Sequence, residues 1–369
     1  MARTAYTYDP RFLLHDTAVD EIRLPTGQVL DPEPKPASAR VVRRTAQLVA
    51  NSGLLNDLVQ LPARPAAEED LLLFHTPGHV DRVRALATSG GGMLDGTPVA
   101  PGSWDAAILA AGTAIALTDA VLDGIVQRGF GLLRPPGHHA AADRTGGYSL
   151  FNNVALAALH ARRRGVARVA IVDWDVHHGS GTQAAFWDDP TVLFVCLHQD
   201  NWFPAGLGPA TDIGGDSALG ATVNLALPPG TGDRGYLRAL ERVVVPILRQ
   251  FRPELLLISA GQDANLRDPR GRMLVSMDGY RAMAAALREV ADDVCGGRVI
   301  ALQEDAFSAE YAPFCTLAVA EGLVDVRTAV VDPLQGDSEL LQARRELRVA
   351  LDDALRQTVE SLAGFWGLG

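Results

Sequence analysis

The sequence predicts an α/β protein built on a single parallel β-sheet with helices on both faces. Three observations carry that prediction. Short apolar runs of strand length recur at 130–133, 166–172, 192–197, 255–260 and 298–302. Helical stretches lie between or after them, near 104–122, 152–164, 235–250, 278–294 and 309–322. Strands of this kind, alternating with helices and apolar along their whole length, belong to a parallel sheet covered on both sides. Polar residues also gather just past the carboxyl ends of five strands, where open α/β sheets bind ligands.

Each element has a local reason. Residues 1–40 are rich in proline and charge with weak periodicity, and read as an irregular, partly extended leading segment. Gly90-Gly91-Gly92 and Pro98 to Gly102 mark loops rather than a domain boundary, so one domain spanning 1–369 is expected. Ser103 is a good N-cap for the run Trp104 to Leu122, and Gly124 a good stop. Phe130-Gly131-Leu132-Leu133 is a short strand that ends at a double proline. Asn152 to Arg164 reads as a helix whose basic end, Arg162 to Arg164, favours the negative pole of the helix dipole. Pro246 is expected to interrupt or kink the helix near 235–250.

The composition narrows the function classes. With 47% apolar and 21% charged residues, the chain has the make-up of a globular protein with a sizeable core. A net charge of −11 argues against non-specific nucleic-acid binding, which needs a basic face; it is compatible with a cationic substrate. No stretch is read as approaching the ~20 apolar residues of a membrane span. Met1 to Asp9 lacks the apolar core of a signal peptide. Cys196, Cys295 and Cys315 are too few and scattered for a disulfide framework. A cytoplasmic protein is the simplest expectation, with neither nucleic acid nor membrane as partner; a homo-oligomer is left open.

The strand ends carry the chemistry. Leu133 runs into Arg134-Pro135-Pro136-Gly137-His138-His139, and Val172 into Asp173-Trp174-Asp175-Val176-His177-His178-Gly179. Leu197 is followed by His198-Gln199-Asp200, Ile258 by Ser259-Ala260-Gly261-Gln262-Asp263, and Leu302 by Gln303-Glu304-Asp305. In an extended run, Asp173, Asp175 and His177 point the same way. Two carboxylates and an imidazole suit a divalent cation with one open position, as in catalytic zinc sites; the plain alternative is a polar strand end without metal. A lone histidine is more often a satisfied surface or core residue. Two in a row beside carboxylates suit a general base and general acid, since imidazole titrates near neutrality.

These motifs, with Gly147-Tyr148-Ser149-Leu150-Phe151-Asn152-Asn153, occur in the order of the zinc-dependent histone deacetylase family. The chain most resembles the class II branch, which includes bacterial histone deacetylase-like amidohydrolases and acetylpolyamine amidohydrolases. The similarity runs from about Tyr8 to about Leu323. It implies the arginase–deacetylase fold, and a Zn2+ ion held by Asp175, His177 and Asp263. His138 and His139 then match the tandem histidines that handle the water and leaving-group protons, with Asp173 behind His138. Gly147, Tyr148 and Phe203 match the walls of a narrow tunnel that admits an acylated amine, small molecule or peptide.

The chain departs from the family pattern in places. Ser180 stands where relatives carry Asp or Asn to orient the second histidine. Cys196 replaces a serine in the segment lining the family's structural K+ site, and a thiol is a poor ligand for a hard cation. The largest departure follows the last core strand, where relatives carry Glu-Gly-Gly-Tyr with the tyrosine hydroxyl donating to the oxyanion. Here the stretch is Glu304-Asp305-Ala306-Phe307. Tyr311, four residues on, matches a different family tyrosine. Three functions follow as alternatives: a zinc amidohydrolase with atypical or weakened activity, a weak or inactive relative that binds acylated ligands, and an arginase-like manganese hydrolase. The intact ligand set and tandem histidines favour the first.

Overall fold

A computed structural model describes residues 3–17, 19–20, 24–31, 33–35, 37–336 and 345–368. Its centre is an eight-stranded parallel sheet. In chain order the strands are β1 (Thr4–Thr7), β2 (Leu58–Gln60), β3 (Arg128–Gly131), β4 (Val169–Asp173), β5 (Val192–Gln199), β6 (Thr222–Leu227), β7 (Leu255–Ala260) and β8 (Val299–Gln303). Across the sheet they run β6-β5-β4-β7-β8-β3-β1-β2. The expected architecture is therefore present.

Alternation along the strands feeds two cores. Ala170 and Val172 of β4, with Leu256 and Ile258 of β7, join one apolar cluster. Val169 and Ile171, with Leu255 and Leu257, join the other. Both strands are apolar on both faces because each face is covered. One cover comprises α3 (Ser103–Leu122) and α4 (Asn153–Arg163), which contribute Leu117 and Val154. The opposite cover includes α1 (Arg40–Asn51), α6 (Asp233–Ala239), α7 (Val245–Phe251), α8 (Met277–Cys295), α9 (Ala312–Val324) and α10 (Arg345–Leu362). The outer helix α2 (Pro77–Thr88) packs with α3 through a third, smaller cluster, and α5 (Ser180–Phe186) follows the β4 loop.

Three expectations need correction. The leading segment is not irregular throughout: Thr4–Thr7 is an interior strand between β3 and β2. Its Thr-Ala-Tyr-Thr sequence gives no alternation because all four residues are buried. Residues 1–2, 18, 21–23, 32 and 36 of that segment lie outside the described residues. Ser103 is the first residue of α3 rather than its cap, and its hydroxyl accepts from the Ala100 N–H at 2.8 Å. Ser103–Leu122 is also long and apolar enough to cross a membrane, with a mean hydropathy of 1.6, but 72% of that window is buried inside the fold. The interruption expected at Pro246 is present. The ladder widens to a π-helix over Leu240–Val244, and α7 restarts with Pro246 in its first turn, where a missing N–H costs nothing.

Parallel pairing sets the depth of the strand ends. Asp173 lies in register with Cys196 on β5 and Ser259 on β7, and Ala260 with Gln303 on β8. The loops that leave β3, β4, β7 and β8 therefore start side by side.

Candidate active site

The extended run past β4 curls so that its polar side chains divide. Asp173 turns to the β3 loop, where His138 Nδ1 lies 3.0 Å from its Oδ2. Asp175 and His177 turn instead toward Asp263 on the β7 loop. His177 Nδ1 lies 3.2 Å from Asp175 Oδ1 and 2.8 Å from Asp263 Oδ2. Backbone donors hold these carboxylates in place: the Asp175 N–H donates to Asp173, the His177 N–H to Asp175, and the Val176 N–H to Asp263 at 2.8 Å. Gly261 leaves the room needed here, since a Cβ at that position would lie 2.0 Å from Asp175 Oδ2.

One donor atom each from Asp175, His177, Asp263 and Asp305 lie within 4.8 Å of one another, all buried. This arrangement fits a divalent cation. Carboxylates and an imidazole are donors zinc accepts. Two buried polar atoms, Asp263 Oδ2 and His138 Nε2, have no hydrogen-bond partner. Asp263 Oδ2 is close to His177 Nδ1, but the contact lacks the alignment of a hydrogen bond, which leaves that oxygen available to an ion.

The electrostatics agree. Burial works against charge on His177, yet Asp263 and Asp175 outweigh it and push the imidazole up to about 10. Burial, reinforced by Asp175, raises Asp263 well above the ordinary carboxylate range. Such clustered negative charge calls for a cation. For His138, burial is again opposed by Asp175 and Asp173, and the net direction is up. His139 goes down, through burial and then the neighbouring His138 and His177.

His138 and His139 pack with ring centroids 4.0 Å apart and their planes tilted by 46°. His138 is fully buried and held from behind by Asp173. Its backbone is also anchored: Glu304 accepts from the Gly137 N–H at 2.6 Å and the His138 N–H at 3.1 Å. His139 Nδ1 lies 3.5 Å from Ser180 Oγ, the outer limit of a hydrogen bond. His139 meets the edge of Phe203 at 5.2 Å. Gly147 passes so close that a Cβ there would lie 2.1 Å from His139 Cδ2, and its φ of +47° is left-handed as well.

A cleft of 410 Å³ opens over this group, with Gly147, Tyr148, Phe203 and Phe307 in its walls and His139, His177 and Asp305 below. Phe203 is 47% exposed at the rim, whereas Phe307 is buried, its ring 5.9 Å from His177 and 6.0 Å from Tyr148. The Tyr311 hydroxyl is engaged elsewhere, with the Met277 N–H and Asp332. The wall beside the cluster thus presents a ring without a hydroxyl at Phe307. Cys196 is a buried free thiol.

Sequence reasoning missed two groups. Asp268 accepts from the Phe307 and Ser308 N–H groups at 2.9 and 3.1 Å and so holds the β8 loop. Asp305 joins the ligand cluster itself. Its signal was present as a carboxylate at a strand end, but nothing in the spacing told where that side chain points.

Comparison with known proteins adds the following. Residues 35–323 match the model of the histone deacetylase domain. Over 374 residues, covering 99% of this chain and 97% of the relative, the chain is 43% identical to a histone deacetylase-like amidohydrolase of Pseudomonas aeruginosa. It is 36% identical to a probable deacetylase of Archaeoglobus fulgidus, over 78% of this chain and 81% of that one. With polyamine deacetylase HDAC10 of Homo sapiens it shares 37% identity over 82% of this chain and 46% of the human protein. The crystal structure of the HDA15 HD domain superposes with a TM-score of 0.85 at 32% identity, covering 99% of this chain and 95% of that one.

Proposed function

The chain belongs to the histone deacetylase family, and from that premise we propose that it removes an acyl group from an acylated amine as a zinc-dependent amidohydrolase. Its sheet and helices are those of the arginase–deacetylase fold. The observation that carries the proposal is the convergence of Asp175, His177 and Asp263 beneath a cleft, with His138 and His139 packed together alongside.

Zinc held by Asp175, His177 and Asp263 would supply Lewis acidity and lower the pKa of a bound water toward ~7. His138, its Nδ1 held by Asp173, and His139 beside it handle the water and leaving-group protons between them as the C–N bond breaks. Tyr148 and Phe203 flank the linear chain that carries the acyl group, as aromatic rings pack on methylenes. Phe307 supplies no hydroxyl to the oxyanion, so turnover of ordinary acetyl amides is slow. Three buried free thiols suit a reducing compartment, and we place the protein in the cytoplasm.

Pure protein should hold about one zinc per chain, and Asp263→Ala should lose it together with hydrolysis of acylated amines. An Asp263→Ala protein that keeps its full metal content removes the ligand assignment. Manganese in place of zinc would favour the arginase-like alternative. Phe307 gives specific support to a second reading, a protein that binds acylated ligands without turning them over. No hydrolysis of any acyl-lysine or acylpolyamine by the zinc-loaded chain, with ligand binding intact, would establish it.

A further inference from the structure

We infer that Asp305 is a fourth protein ligand of the metal and closes the coordination position that an open catalytic site leaves to water. The inference rests on the metal reading above. Three observations lead to it. Asp305 supplies an oxygen that lies within 4.8 Å of donor atoms on Asp175, His177 and Asp263. The same carboxylate forms an equally compact group with His138 and His139. It therefore stands between the metal ligands and the tandem histidines, where a water serving both would have to sit. Two fully buried polar atoms, Asp263 Oδ2 and His138 Nε2, point into this space without hydrogen-bond partners.

The backbone keeps Asp305 there. Its N–H donates to Asp175 Oδ2 at 3.1 Å, and its carbonyl accepts from the Gln262 N–H at 2.8 Å. Two residues on, the Phe307 N–H is tied to Asp268. The side chain thus leaves a pinned loop directly beside the cluster, and only its own torsions are free. A zinc with four protein ligands has the closed set of a structural site, whereas a catalytic site keeps three plus water. In this chain Asp305 must swing off before water or a substrate carbonyl can enter. One loop, Asp305 to Phe307, therefore both covers the metal and omits the oxyanion donor.

Zinc affinity of the full chain, measured by competition with a chromophoric chelator, tests this together with the visible spectrum of the cobalt(II)-substituted protein. Asp305→Asn should weaken zinc binding by at least ~10–100-fold, the loss typical of removing even an outer-shell partner, and should shift the cobalt spectrum. Asp305→Gly, which removes the side chain altogether, should do the same. It should also bind a linear hydroxamate at least ten-fold more tightly than the unaltered chain (about 1.4 kcal/mol) in calorimetry. Variants with unchanged zinc affinity, cobalt spectrum and hydroxamate binding overturn the inference and leave the metal reading intact. An unaltered chain that binds no divalent ion overturns both.

Discussion

At Phe307 the cleft wall carries a ring where a phenol would offer a hydroxyl. The ring is buried 5.9 Å from that of His177 and lines the cleft above the proposed metal ligands. Loss of one oxyanion donor typically slows reaction by about 10²–10³. Phe307→Tyr should therefore raise kcat/KM on acetyl-lysine by up to about that factor. The gain should be smaller on trifluoroacetyl-lysine, whose electron-poor carbonyl needs less help. Steady-state kinetics of both proteins on both substrates check this. Equal rates for Phe307→Tyr and the unaltered chain on acetyl-lysine would mean that the loop holds the new hydroxyl away from the carbonyl.

Elements matter here through where they touch. Helix α3 is apolar on nearly every side, and the segment before it in sequence crosses its backbone. The Ala66 N–H donates to the Ile108 carbonyl at 2.8 Å, and a Cβ on Gly112 would come within 2.3 Å of Ala66 N and Arg64 O. Backbone cannot yield as a side-chain tip can. Gly112→Ala, a change that ordinarily favours a helix, should here destabilise the protein by about 1–3 kcal/mol. The urea midpoint should fall; a rise would show that the segment moves aside freely. The loop after β8 shows the same dependence in the active site: its direction is set by Asp268 and by the Asp175 carboxylate, neither of which belongs to the strand that launches it.

For the whole molecule, burial of histidines sets the acid response. Burial holds His75 and His198 down at about 3 and His178 at about 4, and lowers His15 and His79 as well. These rings are neutral in the fold but protonate in the unfolded chain below their ordinary 6.5. Unfolding takes up their protons, so acid favours it. Other groups oppose this. Burial raises Glu304 to about 7, Asp268 to about 6, and Asp173, Asp233, Asp263 and Asp305 upward, so in the metal-free chain their protons are released on unfolding; a bound metal holds Asp263 and its neighbours ionised and removes their part. Metal ligands must also be deprotonated to bind, which adds to the acid loss. The zinc-loaded protein should lose stability on the order of 1–4 kcal/mol per pH unit between about pH 6.5 and 4.5. Denaturation midpoints across that range test it, and a flat profile would contradict it.

The sequence by itself determined the sheet class and the family, and placed polar chemistry at five strand ends. Local signals suffice for that: apolar runs of strand length, helical stretches between them, and motifs contiguous in the chain such as His138-His139 and Asp173 to His177. Strands β1, β2 and β6 were not legible. Thr4–Thr7 is buried at every position, and Leu58–Gln60 has only three residues, so neither shows a period. Tertiary structure alone decided the partition of the Asp173, Asp175 and His177 run. Alternation predicts that the three point together, yet Asp173 pairs with His138 while the other two meet Asp263, because the chain bends as it leaves β4 and different loops compete for each carboxylate. It also decided that Asp305 faces the cluster. A side chain's direction past a strand end depends on which groups hold the loop, and here the Asp175 carboxylate that accepts from the Asp305 N–H lies 130 positions away in sequence.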